Sequence, residues 1–206
     1  MTRDESKSMK KSYKRPSEIL LDIVQKKNKD SHPTYQDIVD VLGPQAFGVA
    51  LLFFSLPTLL PFSVIPGVSI VFSIPIIFFS LQMIGKRKSL WLPSLIAQNT
   101  ISHKKISIMI KIVVPYLRML EHISHTRWAW MTSPIMEIIN GFALLFLAIM
   151  LMLPIPFSNF IFGGIILLFS LGIAEKDGVF VSIGYIFLSL YISFIYLLTL
   201  TALKFY

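Results

Sequence analysis

The sequence predicts an all-α polytopic integral membrane protein. Its parts are two proline-broken helical hairpins that form a degenerate internal repeat, an amphipathic interfacial helix between them, and a C-terminal transmembrane helix. Three observations carry this. The runs Val41–Gly85, Ile138–Ala174 and Gly178–Leu203 contain no Asp, Glu, Lys or Arg. The mean hydropathy of +0.70 and the 54% hydrophobic content exceed those of an ordinary soluble domain. The first two runs are interrupted by clustered prolines, which remove an N–H and clash with the preceding helical turn.

Residues 1–15 are basic and offer almost nothing to bury, so a disordered tail is expected. Nothing there has the basic-then-apolar form of a signal sequence, so the first hairpin is expected to direct insertion. Residues 16–45 read as a short cytosolic helical collar. Pro16 suits a helix start, and Ile19, Leu20, Ile23 and Val24 share one face. Thr34 and Asp37 form a weak capping box for a second helix, with Gly43-Pro44 as its stop. Two short helices are also the outline of a DNA-binding motif, but Asp37 and Asp40 would repel phosphate.

The first membrane hairpin occupies 46–85. A hydrocarbon core accepts about 20 apolar residues per helical crossing, so the charge-free run is roughly two spans long. Pro57, Pro61, Pro66 and Pro75 with Gly67 interrupt it, and Ser63 lies at the break. Whether such a hairpin crosses fully or is re-entrant stays open at this stage. Lys86, Arg87 and Lys88 with Trp91 mark a cytoplasmic interface.

Residues 86–137 form a basic connector. Lys104, Lys111, Arg118, His122 and His125 fall within about 60° of arc at 100° per residue. An otherwise apolar helix with such a stripe lies in the interface, facing lipid phosphates. Crossing would cost about 2.5–3.5 kcal/mol for each cation near the bilayer centre. Glu121, His122 and His125 are too few placed ligands for a metal site.

The second hairpin occupies 138–174, with its break at Pro154 and Pro156, followed by Ser158 and Asn159. Gly48-Val-Ala-Leu-Leu-Phe resembles Gly141-Phe-Ala-Leu-Leu-Phe, and Phe79-Ser80-Leu81 matches Phe169-Ser170-Leu171. The first unit closes on Lys86-Arg87-Lys88 and the second on Glu175-Lys176-Asp177. That contrast is compatible with inverted repeats facing opposite sides. Residues 178–203 make one plain span.

From Ser17 onward the chain resembles the ExoD family of bacterial inner-membrane proteins. The resemblance rests on Thr34–Gly43, Leu56-Pro57 with Pro61, Leu81-Gln82 with Gly85, and Trp91-Leu92-Pro93. Leu120-Glu121 with Arg127, Pro154-Ile155-Pro156 with Asn159, and Glu175-Lys176-Asp177-Gly178 complete it. His125 departs from the proline that the family favours before the arginine. The resemblance implies a role in exopolysaccharide synthesis or export, in the bacterial cytoplasmic membrane.

No phosphate loop, nucleophile–base pair or flanked carboxylate pair is present, so neither an enzyme nor a cofactor is expected. With no cysteine there is no disulfide or thiol chemistry. The net charge of +8 points to membrane lipids rather than nucleic acid as partner. The candidate residues fall into three sets. Pro57, Pro61, Ser63, Pro66, Gly67, Gln82, Pro154, Pro156, Ser158 and Asn159 are candidates to line a cavity at the breaks, set against a reading in which Ser63, Ser158 and Asn159 hydrogen-bond freed backbone groups and Gln82 satisfies a neighbouring helix. Glu175 and Asp177 are candidate coupling carboxylates, set against a solvated turn. Lys104, Lys111, Arg118 and Arg127 would meet headgroups or an anion. The reading is a transporter-like protein for an anionic or lipid-linked envelope precursor, with the N-terminus cytoplasmic. The alternative is a non-catalytic scaffold or regulatory subunit bound to polysaccharide-synthesis proteins.

Overall fold

The structure, a computed structural model, describes residues 34–59, 67–87, 89–93, 128–153 and 158–204. The tail, the helix from Pro16, the cationic stripe and the positions Pro61, Ser63, Pro66, Pro154 and Pro156 lie outside the described residues. Among the described residues there are six α-helices: α1 (Tyr35–Leu42), α2 (Ala46–Ser55), α3 (Val68–Ile84), α4 (Pro134–Met152), α5 (Ser158–Glu175) and α6 (Gly178–Lys204). Short 3-10 turns cover Gly43–Gln45, Leu56–Leu59 and Ala129–Thr132.

Helix α1 starts directly after Thr34 and buries Val39 and Leu42 while Asp40 faces out. The helix stops at Leu42, as Gly43-Pro44 leads one to expect, and the stop is also a joint. Gly43 turns left-handed at φ 54°, and one 3-10 turn leads straight into α2. At its other end α2 tightens into the 3-10 turn that holds Pro57. Hydroxyls bond the carbonyls there: Ser55 Oγ donates to Leu52 O at 3.0 Å, and Thr58 Oγ1 to Ser55 O at 2.6 Å. Helix α3 then begins after Gly67, whose φ of 102° suits glycine alone.

Pro75 does not break the chain. It sits inside α3, which continues to Ile84. A proline inside a helix costs about 3 kcal/mol, and here the long contact of α3 with α4 offsets it. Helix α4 begins at Pro134, four residues before the charge-free run. Ser133 caps it by accepting from Met136 N, Pro134 is preset for the first turn, and Glu137 sits favourably near the positive helix end. Caps, not loss of charge, set this boundary. Leu153 ends α4 in an extended conformation (ψ 131°), as a residue preceding proline must.

Helices α3 and α5 end alike. Lys86 (φ 55°) and Lys176 (φ 54°) are both left-handed. Arg87 N donates to Gln82 O, and Asp177 N to Gly172 O, each closing the last turn. Lysine stands in both places where glycine is usual.

Helices α2 to α5 form an up-down bundle in which α3 packs on α4, α2 on α5, and the partners within each pair on one another. Leu51, Leu52, Ile76, Leu144, Leu147, Leu151, Phe162, Ile166 and Phe169 are fully buried within it. Close approach is set by small residues, as membrane helix packing favours. Gly48, early in α2, lies against the backbone of Ala174, late in α5. Gly141, early in α4, lies against Ile84, at the end of α3. Each pair is therefore antiparallel, and both α2–α3 and α4–α5 turn back at one end. We call this end the tip; the other, where α3 and α5 finish, is the base. Inverted repeats, with which the charge contrast is compatible, are not what the described helices form, because both hairpins turn back at the same end. Charge contrast after α3 and α5 could not report direction, since both helix ends lie at the base.

Helix α6 runs antiparallel along the outside of α5. Phe169 meets Tyr185 and Phe162 meets Tyr191, each with ring centroids 4.8 Å apart. Helices α4, α5 and α6 are long and apolar enough to cross a membrane; the apolar helices Ala46–Leu59 and Ser69–Ile84 are shorter.

Candidate functional site at the bundle tip

The tip gathers polar side chains on an apolar frame. Thr58 is fully buried, Ser69 and Ser158 are buried, and Asn159 is half-buried. Asn159 Nδ2 donates to Ser69 Oγ at 2.7 Å, tying the first turn of α5 to the first turn of α3. A Cβ on Gly163 would run into Thr58 Oγ1, so glycine lets that hydroxyl lie against α5. The first turns of α3 and α5 hold no acidic residue. Helix N-termini carry partial positive charge and N–H groups that the helix itself cannot use. Two of them converge here on hydroxyl and amide groups, an arrangement suited to an anionic oxygen.

The sequence-predicted residues divide between the two ends. Pro57, Gly67, Ser158 and Asn159 are at the tip. Gln82, Glu175 and Asp177 are at the base and form no part of that site. Gln82 is committed to the chain after α3: Nε2 donates to Trp91 O at 3.0 Å, and Trp91 N donates to Oε1 at 2.7 Å. The solvated-turn reading of Glu175 and Asp177 is also corrected, since they are only 5% and 3% exposed. Asp177 Oδ1 accepts from Val179 N at 3.0 Å, which caps α6. Gly178 follows because a Cβ there would overlap the Trp128 carbonyl. The candidate anion contacts Lys104, Lys111, Arg118 and Arg127 lie outside the described residues.

Ser69 and Asn140 escaped the sequence reading. Ser69 could have been found, because it precedes Asn159 by the same 90 residues that separate Phe79 from Phe169. Asn140 looks like one polar residue in an apolar run. In the fold it is fully buried, donates to Met131 O at 3.1 Å, and accepts from Tyr185 Oη at 2.9 Å. No local pattern announces partners so far along the chain.

Among the described residues the regular elements are helical, and three of the helices are long and apolar enough to cross a membrane. The family model described as "Exopolysaccharide synthesis, ExoD" matches residues 17–197. The chain belongs to the ExoD family, and membership implies involvement in exopolysaccharide synthesis. It is 35% identical to Protein ExoD of Rhizobium meliloti over 159 residues, which is 75% of this chain and 65% of that protein. It is also 30% identical to an uncharacterized protein of Synechocystis sp. over 174 residues, 84% of this chain and 82% of the relative. No solved structure matches.

Proposed function

We propose that this protein serves exopolysaccharide synthesis or export as a non-enzymatic, transporter-like component of the bacterial cytoplasmic membrane. Its substrate is an anionic, lipid-linked envelope precursor. The observation that carries this is the Asn159–Ser69 bond, which brings together two helix N-termini whose first turns hold no acidic residue. In this reading both hairpins are re-entrant, and their polar tips lie inside the lipid. Non-helical backbone at that depth is tolerated where protein or a watery cavity satisfies it.

A degenerate repeat of 46–85 in 138–174 underlies the arrangement. In a twofold pairing residue i meets j while j meets i, and a residue on the axis meets its own counterpart. Gly48 packs on Ala174 and Gly141 on Ile84. Ile84 and Ala174 correspond at the same shift of 90 residues as Ser69 and Asn159, which meet each other. Lys86 and Lys176 share that shift and the same left-handed backbone. These correspondences support two like units around an axis running along the bundle. They give the substrate one shared binding point rather than two.

The test is substitution of Asn159→Ala and of Ser69→Ala, with membrane levels of each variant measured. Loss of polysaccharide output at normal levels is expected in both. Wild-type output from both variants would refute the reading.

A further inference from the structure

The two ends of the bundle are unlike in a way that bears on how it sits in lipid. All three tryptophans of the chain are at the base and are well exposed: Trp91 by 47%, Trp128 by 59% and Trp130 by 60%. The exposed cations Lys86 and Arg87 are there too, with the Arg87 guanidinium 5.4 Å from the centre of the Trp91 ring. Tryptophan and basic residues of this kind belong at a membrane–water interface. The tip is the opposite. Between Leu56 and Gly67, and between Leu153 and Asn159, the sequence holds no charge, no tryptophan and no tyrosine. A hairpin that crossed completely would bring those turns to the far headgroups with nothing to anchor them.

Counted within the charge-free runs, from Ile84 back to Ser69, from Ala174 back to Asn159 and from Ile138 to Met152, each helix rises about 21–22 Å at 1.5 Å per residue. Helix α4 reaches its full 19 residues because its first turn, with Glu137, stands outside the run at the base. A hydrocarbon core is about 30 Å thick. Helix α6 behaves differently. Tyr191 lies beside Phe162, near the start of α5, and α6 then runs on to Lys204. That carries its end about 14 Å past Ser158. Every residue from Ile192 to Lys204 is exposed, and none before Lys204 is charged.

We infer that the protein enters the bilayer from one face: the base is anchored in the headgroups of a single leaflet, both hairpins stop within the hydrocarbon, and only α6 crosses to the other side. The partner of the base is a lipid headgroup layer, and that of the tips and of outer α6 is hydrocarbon. This rests on the re-entrant part of the proposed function and not on transport of any precursor.

The chain has no cysteine to remove, so single cysteines test this in the full protein in lipid vesicles. Ser89→Cys marks the base, Leu153→Cys the tip, and Lys204→Cys the end of α6. Phe160→Cys is a second exposed tip position should Leu153→Cys fail to fold. A membrane-impermeant maleimide is expected to label Ser89→Cys and Lys204→Cys from opposite faces. It is expected to lose both routes to the tip cysteine. A nitroxide at the tip is expected to collide with oxygen far more than with a water-soluble nickel chelate. Labelling of the tip cysteine from either face, or of Ser89→Cys and Lys204→Cys from the same face, would overturn the inference. Because depth is measured and not polysaccharide, a failed transport reading leaves this result standing.

Discussion

The base and the tip of this bundle are built from the same four helices but are held by different forces. At the base, backbone geometry and side-chain amides hold the chain. Gln82 exchanges two hydrogen bonds with Trp91, Asp177 caps α6, and two lysines close helices in left-handed conformation. At the tip a few hydroxyl and amide contacts, Asn159–Ser69 chief among them, join helices that end in apolar sequence. Among the described residues the base is closed by bonds to backbone groups, while helices α3 and α5 are joined at the tip by a bond between two side chains. In the proposed function, that side-chain bond is the part of the frame a polar substrate would meet inside lipid. Polar groups in such surroundings are costly and tend to be functional.

The hardest test of the contrast is Gly48→Ala. Its Cβ would overlap the Ala174 backbone, which cannot step aside as a side chain can. We expect a loss of about 3 kcal/mol or more in detergent unfolding. The change Gly141→Ala meets Ile84 Cγ1 at 3.0 Å and the Ile84 N and Met83 Cβ at 3.2 Å, a looser fit than at Gly48, and should cost about 1 kcal/mol. Equal losses would show that the two contacts are not counterparts with different partners. Next comes Gln82→Ala, which strips both hydrogen bonds from Trp91. A loss of about 2 kcal/mol is expected, together with a change in Trp91 fluorescence, while Trp128 and Trp130 stay as they are.

A double-mutant cycle on Ser69→Ala and Asn159→Ala measures the tip. The coupling energy should be about 0.6–1.7 kcal/mol, the range seen for hydrogen bonds between membrane helices. A coupling near zero would remove the tip's chief contact. The smallest effect expected is a gain. Lys86→Gly relieves a left-handed lysine and should stabilise by about 0.5–1 kcal/mol, read as a higher unfolding midpoint. A loss instead would mean that the lysine side chain contributes more than its backbone costs.

Much of this was legible beforehand. Helix α6 follows from an uncharged run without proline, and the ends of α2 and α4 from Pro57 and from Leu153 preceding proline. Other readings failed for identifiable reasons. Pro75 reads in sequence like the breaking prolines, yet packing against α4 carries α3 through it. Glu175 and Asp177 were expected in solvent because a charged triplet between apolar runs usually is. Here both are buried, and Asp177 caps α6. Gln82 stands among the cavity candidates by its polarity alone, and nothing in its local sequence shows that its partner is Trp91, in the chain just after its own helix.

The sequence by itself determined that the chain is helical and apolar, where most of its helices stop, and which family it belongs to. These are local matters, governed by charge, periodicity and the missing proline N–H. Only the tertiary structure decided that both hairpins turn at the same end, that Ser69 meets Asn159, and that Gln82, Glu175 and Asp177 stand apart from them. Those outcomes depend on which helix faces which, and that is settled by the close approach of Gly48 to Ala174 and of Gly141 to Ile84. Contacts between residues so distant in the chain leave no mark on the pattern around either one.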